Sequence, residues 1–224
     1  MPEPVTRRPA DGHDGRVIPS QLPVEALLVV DVQQDAVLGD RAVPDAARLV
    51  DRTADLIARA RLAGALVVHI QNDGRPGAGD EPGTPGWRLH HAVEAGPVEV
   101  VVRKTVDDSF ERTSLHGQLT DAGVRSLAVC GVMSEMCVRA TARTALELGY
   151  RVVMPHDAHA THDIPAAPGI SDGVPAASVS RVAEWSLGSD LEVVARAADV
   201  TFAPPPAHPG QKAPGDARET LRQR

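Results

Sequence analysis

Three side chains of the types used in nucleophilic catalysis follow short apolar segments of this 224-residue chain. Asp31 comes directly after the apolar run 26–30, and Lys104 follows a run of valines. Cys137 lies just past a further apolar run, where a helical pattern begins. If the runs are neighbouring strands, an acid, a cation and a thiol meet at one edge of a sheet, which suits a nucleophilic thiol.

Each of these residues also has an ordinary structural interpretation. Asp31 could cap a helix or pair with a cation in a loop, and Lys104 could be an exposed strand-end cation. Cys137 could be a small buried side chain that faces the sheet, as free cysteines often are. Cys130 lies within an apolar run, and we interpret it as an inert core residue.

The local pattern around Cys137 favours reactivity. Ser134 is a candidate N-cap, which places Cys137 in the first turn of a helix. There the partial positive charge of the helix favours a thiolate over a thiol. Free backbone N–H groups at the same turn could hold an oxyanion.

Six apolar segments alternate with helical patterns and predict the fold. The predicted strands lie at 26–30, 65–70, 98–102, 126–130, 151–154 and 192–194. The predicted helices lie at 45–63, 114–122, 134–148 and 175–187. Aliphatic runs in which apolar and polar residues do not alternate indicate strands buried on both faces. We therefore predict a three-layer α-β-α domain around a mostly parallel, six-stranded, Rossmann-like sheet, with reactive groups at the carboxyl ends of its strands.

The chain divides into one domain and two tails. The domain spans 21–202, between a flexible N-terminal tail at 1–20 and a Pro-rich flexible C-terminal tail at 203–224. The N-terminus lacks the apolar stretch of a signal peptide, so we expect a cytoplasmic protein. Two cysteines in the whole chain argue against a disulfide scaffold.

Composition narrows the possible partners. A net charge of −7 and an aromatic content of 2% argue against nucleic-acid binding. The chain lacks the excess positive charge that neutralises phosphates and the aromatic side chains on which bases stack. No apolar run approaches the roughly 20 residues of a membrane span. Acidic residues near the predicted site would suit a cationic substrate, although a charge of −7 also simply favours solubility.

Further candidates for substrate contacts lie near the same strand ends. Gln33 and Asp35 follow Asp31 on one loop. Trp87 belongs to the long Gly- and Pro-rich stretch 71–97, where it either covers a pocket or anchors the loop or a subunit contact.

Three histidines, His156, His159 and His162, are spaced by three residues in a loop. This spacing raises the possibility of a metal site, but the loop offers no regular ligand scaffold, and we expect no metal there. His159 is retained as a candidate for substrate contact.

The chain resembles the isochorismatase-like cysteine hydrolases over roughly residues 24–200. The motifs that carry this resemblance are Ala26-Leu27-Leu28-Val29-Val30-Asp31-Val32-Gln33, Lys104 with Ser109-Phe110, and Cys130-Gly131-Val132-Met133-x-x-x-Cys137. The segments at 81–87, 162–165 and 184–187 look most like the streptothricin hydrolase-type branch of this family.

The resemblance implies an Asp31–Lys104–Cys137 triad. In this triad, Cys137 attacks an amide carbonyl to form a thioester. Asp31 carries the proton from the thiol to the leaving amine, and Lys104 influences the charges of Asp31 and Cys137. It also implies a cis peptide between Val132 and Met133, with the N–H groups of Met133 and Cys137 as the oxyanion hole. Nicotinamidases of this family bind a metal after the second strand through an Asp-x-His pattern that residues 69–75 lack, so we expect neither metal nor cofactor.

The sequence thus predicts a hydrolase that cleaves a C–N amide bond of a small molecule, such as the cyclic amide of the streptothricin lactam. The alternatives are another amidase of the family, of nicotinamidase or carbamoyl-amide type, and a catalytically silent binding or assembly module. A thiol redox role is the third alternative. It is less favoured, because the strand-to-helix turn between Cys130 and Cys137 makes disulfide exchange between them difficult. We expect a homodimer or higher homo-oligomer.

Overall fold

A computed structural model of the chain describes residues 22–94, 96 and 98–206. The predicted N-terminal tail, 1–20, lies outside the described residues, as does the part of the predicted C-terminal tail at 207–224. At the start of that C-terminal tail, the Ala203 N–H donates a hydrogen bond of 3.0 Å to the Val24 carbonyl.

A parallel sheet forms the centre of the domain. Its strands are β1 (Ala26–Val30), β2 (Leu66–Asn72), β3 (Glu99–Lys104), β4 (Ser126–Val132), β5 (Arg151–Pro155), β6 (His159–Ala160) and β7 (Leu191–Val194). The order is β3-β2-β1-β4-β5-β7, and β6 pairs with β4. All pairings between these strands are parallel. The six predicted strands are confirmed, and the two-residue β6 adds a seventh that was not predicted.

Helices connect the strands and cover the sheet. They are α1 (Gln34–Val37), α2 (Ala46–Ala63), α3 (Leu115–Asp121), α4 (Arg139–Glu147) and α5 (Ala176–Trp185). A five-residue π-helical turn, Ser134–Val138, precedes α4 directly. The predicted helix 134–148 is therefore a π-helical turn followed by an α-helix. No described helix is long and apolar enough to cross a membrane.

The core has two parts, one on each face of the sheet. Alternate residues of β1 point to opposite faces: Leu27 and Val29 pack with α2, while Leu28 and Val30 pack with α3 and α4. Because all five residues of β1 are buried, the strand shows an unbroken aliphatic run instead of alternation. The predicted three-layer α-β-α architecture is confirmed.

The chain changes direction across the sheet between β1 and β4, and this is where a cleft opens at the carboxyl ends of parallel strands. Close contact of β1 and β4 requires Gly131, whose φ is 122°: a Cβ there would collide with the Val30 carbonyl oxygen. The contact brings the chain after β4 beside the chain after β1.

Candidate active site

Asp31 is the first residue after β1, and it lies in the left-handed region with a φ of 52°. This conformation is uncommon for residues other than glycine and marks a constrained backbone. The Asp31 N–H donates to the Ile70 carbonyl at 3.1 Å, which holds the residue against β2. Only 7% of Asp31 is exposed, and its Oδ2 lies 2.7 Å from Lys104 Nζ. Its other oxygen, Oδ1, is buried without a hydrogen-bond partner in the described part of the chain.

Lys104 ends β3 and reaches beneath β2 toward β1. Its side chain is fully buried, which rules out the exposed-cation interpretation. Besides Asp31, Nζ lies 3.2 Å from Cys137 Sγ and 3.4 Å from Asn72 Oδ1. Burial alone would lower the pKa of Lys104, but the neighbouring Asp31 carboxylate opposes this effect and the net shift is upward. The ammonium is therefore held charged between the acid and the thiol.

Cys137 lies in the π-helical turn that follows a cis peptide between Val132 and Met133. The Met133 carbonyl accepts hydrogen bonds from the N–H groups of Met136 and Val138, at 3.1 and 3.2 Å. These bonds wrap the turn around Cys137. The expectation that Ser134 is an N-cap is wrong, because its hydroxyl forms no capping bond and contacts a buried histidine instead.

The groups around Cys137 have opposing effects on the pKa of its thiol. Burial raises its pKa, and the negative charge of Asp31 raises it further, while Lys104 opposes both. The net upward shift, with burial as its largest cause, runs against the expected preference for a thiolate. Burial also raises the pKa of Asp31, against the influence of Lys104. A more basic carboxylate beside a neutral thiol is suited to removing its proton.

A cavity of about 440 Å³ opens above the thiol. Its lining includes Asp31, Cys137, Gln33 and Asp35. Asp35 forms an ion pair with Arg41, at 3.2 Å. The Gln33 side chain is mostly committed to the protein, because its Nε2 donates to the carbonyls of Asn72 and Trp87 and its Oε1 accepts from the Asn72 N–H.

Two of the predicted contact residues do not line this cavity. Trp87 anchors the loop: its ring N–H donates to Asp73 Oδ1 at 2.9 Å, and its carbonyl accepts from Gln33 and Gln71. His159 is 1% exposed and lies behind the turn that carries Cys137. The side chains of both residues therefore lie outside the cavity.

The sequence interpretation missed two polar residues at the site. Asn72 ends β2 and contacts Lys104, and Asp107 Oδ1 lies 3.8 Å from Cys137 Sγ. Asp80, one of the acidic residues expected near the site, accepts a hydrogen bond from Asn72 at 2.6 Å. The strand-end rule, applied to β2 as it was to β1 and β3, would have found Asn72.

Two of the three loop histidines come together with an acid from α5. His156 Nδ1 and His159 Nε2 lie 2.6 and 2.9 Å from Glu184 Oε1, and Arg181 lies 3.1 Å from Oε2. Ligand atoms of the two histidines and Glu184 lie within 4.8 Å of one another, and His162 is not in this group. Burial would raise the pKa of Glu184, but hydrogen bonds from both histidines lower it to about 2. The carboxylate is thus satisfied by side chains of the protein.

Comparison with known proteins identifies relatives of the whole domain. The family model of the isochorismatase domain matches residues 25–167. A streptothricin hydrolase of Streptomyces noursei is 67% identical over 190 residues, which cover 85% of this chain and 69% of that protein. The ureidoacrylate amidohydrolase RutB of Variovorax paradoxus is 32% identical over 178 residues, covering 63% of this chain and 70% of that protein. A solved structure of a putative isochorismatase hydrolase from Oleispira antarctica superposes with a TM-score of 0.70 at 33% identity, covering 79% of this chain and 95% of that one.

Proposed function

The chain belongs to the isochorismatase family, and we propose that Asp31, Lys104 and Cys137 are the catalytic triad with which it opens a cyclic amide. Membership and the similarity to streptothricin hydrolase make it a hydrolase acting on amide C–N bonds. The observation that carries the triad is the position of Lys104 Nζ, within 2.7 Å of Asp31 and 3.2 Å of Cys137.

The first half of the proposed reaction forms a thioester. Asp31 takes the proton of the Cys137 thiol, and the sulfur attacks the amide carbon. The N–H groups of Met133 and Cys137 hold the developing oxyanion. The C–N bond then breaks as Asp31 returns the proton to the leaving nitrogen.

The second half consumes water. Asp31, again ionised, removes a proton from a water molecule, whose oxygen attacks the thioester carbon. The carbon–sulfur bond breaks, Asp31 passes the proton that it took from water to the Cys137 sulfur, and the product leaves as a carboxylic acid that loses its own proton to solvent. Lys104 does not exchange protons in this scheme: its fixed charge stabilises the thiolate as it forms beside the Asp31 carboxylate.

The proposed substrate is a lactam of the streptothricin type. The 67% identity to a streptothricin hydrolase supports this choice over a nicotinamide or a carbamoyl amide. A cavity of about 440 Å³ accommodates a small molecule. Its lining includes the carboxylates of Asp80 and Asp107, together with Arg75 and the ion pair of Asp35 with Arg41. These carboxylates suit an amide that carries positive charge.

We propose that the reaction requires no metal. At the end of β2, where nicotinamidases have their metal ligands, this chain presents Gln71, Asn72 and Asp73. The Asp73 carboxylate is already engaged by Arg103, at 2.7 Å, and by the Trp87 ring. The cytoplasmic location and the homo-oligomeric assembly expected from the sequence also remain proposals.

Mass spectrometry of the enzyme during turnover of streptothricin tests this function. Opening a ring releases no fragment, so the thioester at Cys137 should add the mass of the entire substrate. A linear amide would instead add only its acyl part. The Cys137→Ala variant is the control and should show no adduct. Absence of both ring-opened product and adduct would refute the lactam assignment, and an adduct on another residue would refute the triad.

A further inference from the structure

We infer that Glu184, His159 and Ser134 form a positioning network that fixes the turn carrying Cys137, an inference that rests on the proposed function. None of the three lines the catalytic cavity. All three are at least 98% buried, with exposures of 2%, 1% and 1%. A carboxylate and an imidazole in such a place are costly unless their hydrogen bonds are complete, so their surroundings need an explanation.

Ser134 connects the network to the nucleophile. It is the first residue of the π-helical turn, and Cys137 is the fourth. Its hydroxyl lies 2.8 Å from His159 Nδ1 and 2.9 Å from Ser180 Oγ. The start of the turn is therefore fixed to β6 and to α5, beyond the bonds that the turn makes within itself.

His159 holds the other side of the same segment. Its strand, β6, pairs with the end of β4, with Gly131 opposite His159 and Val132 opposite Ala160. The backbone of His159 thus contacts the chain before Met133, and its side chain contacts the chain after it. Since Met133 and Cys137 are the proposed oxyanion donors, this arrangement holds both donors in place.

Glu184 determines that Nε2 is a hydrogen-bond donor in His159. An ionised Glu184 is an acceptor only, so Nε2 of His159 must carry the proton that it donates at 2.9 Å. When the imidazole is neutral, Nδ1 is the acceptor for the Ser134 hydroxyl, and the Ser134 oxygen can then accept from Ser180. One consistent set of donors and acceptors results, as for the outer-shell partners that orient functional histidines.

A second buried pair of a histidine and a glutamate provides a matched control. His69 Nε2 lies 2.7 Å from Glu99 Oε1, which also pairs with Arg61 at 2.7 Å. His69 and Glu99 are 1% and 7% exposed. This cluster joins β2, β3 and α2, and its hydrogen bonds within the described residues do not reach the Ser134–Val138 turn. It has the chemistry of the network without the connection to the nucleophile.

The test compares Ser134→Ala and Glu184→Gln with Glu99→Gln. Both network variants should lower kcat about 10- to 100-fold while KM changes less than about threefold, because the turn loses its fixed position but the cavity lining is kept. Glu99→Gln should lower the melting temperature and leave kcat unchanged. Ser134→Thr, which keeps the hydroxyl, should recover more of kcat than Ser134→Ala.

Alkylation of Cys137 by iodoacetamide separates this inference from the proposed function, because it needs no substrate. The rate should change in Ser134→Ala and stay at the wild-type value in Glu99→Gln. Wild-type kcat and alkylation rate in both network variants would overturn the inference. So would losses of kcat in the network variants that are fully accounted for by their unfolded fraction. If the wild type opens no lactam but alkylation still responds to Ser134→Ala, the proposed substrate fails and the network stands.

Discussion

Cys130 and Cys137 lie on one continuous segment, yet their surroundings differ in almost every respect. Cys130 is fully buried in β4, and its Sγ lies 3.5 Å from the Leu28 carbonyl oxygen. Its neighbours are aliphatic, and burial is the single cause that raises its pKa. Cys137 borders a cavity and faces Lys104, Asp31 and Asp107.

The comparison indicates that the proposed reactivity of Cys137 depends on the neighbours of its thiol. Burial raises the pKa of both cysteines, so neither is a preformed thiolate. Cys137 alone has a carboxylate to take its proton and an ammonium to stabilise the resulting charge. Position at the start of a helix is therefore a poor guide to the pKa of a cysteine when the thiol is largely buried.

The largest expected effect is on turnover. Cys137→Ala should lower kcat/KM by at least about 10³-fold, because no other group can form the thioester. Cys130→Ala should keep kcat/KM within about threefold of the wild type, since its side chain contacts only the core. Steady-state hydrolysis of streptothricin by the two variants measures both effects.

The same pair of variants can break the comparison. Retained hydrolysis in Cys137→Ala would show that another residue is the nucleophile. A loss in Cys130→Ala as large as that in Cys137→Ala, with both variants folded by circular dichroism, would show that the core cysteine also reaches the reacting atoms.

The second prediction concerns the negative charge of Asp31, which adds to burial in raising the pKa of Cys137. Asp31→Asn should reduce turnover by about 10²- to 10⁴-fold, through loss of the base. It should also lower the pKa of Cys137, because Lys104 remains while the negative charge that raises this pKa is removed. The pH profile of Cys137 alkylation should therefore shift to lower pH as activity falls.

Cys130 is the reference for this second measurement. Because burial alone raises its pKa, its resistance to alkylation should be the same with and without Asp31. A Cys137 profile that shifts to higher pH, or does not move, would contradict the assigned role of Asp31.

Much of the fold could be predicted because burial on both faces leaves a simple signal. Each residue of β1 is buried, so its aliphatic run is unbroken and identifies a central strand. The strand β6 has no such signal, because its two residues pair with β4 only after the 3-10 turn His156–Ala158 brings them alongside.

The triad could be proposed from the sequence because Asp31, Lys104 and Cys137 each follow a recognisable strand. The role of Ser134 could not, since a serine before a helical pattern normally reads as an N-cap. Its actual partners, His159 and Ser180, come from separate elements, and their arrangement depends on Glu184 being buried beside them. Such contacts between distant segments leave no periodic pattern.

The smallest expected effect is on stability, and it is the reverse of the effect on turnover. Cys130→Ala should lower the free energy of unfolding by about 1–2 kcal/mol, because a buried sulfur leaves a small cavity between β4 and β1. Cys137→Ala should change it by less than about 0.5 kcal/mol, since that side chain already borders open space. Urea unfolding of the two variants measures the difference. If Cys137→Ala were the more destabilising change, Cys137 would also contribute to packing. The distinction between Cys130 as a core residue and Cys137 as the proposed nucleophile would then not hold.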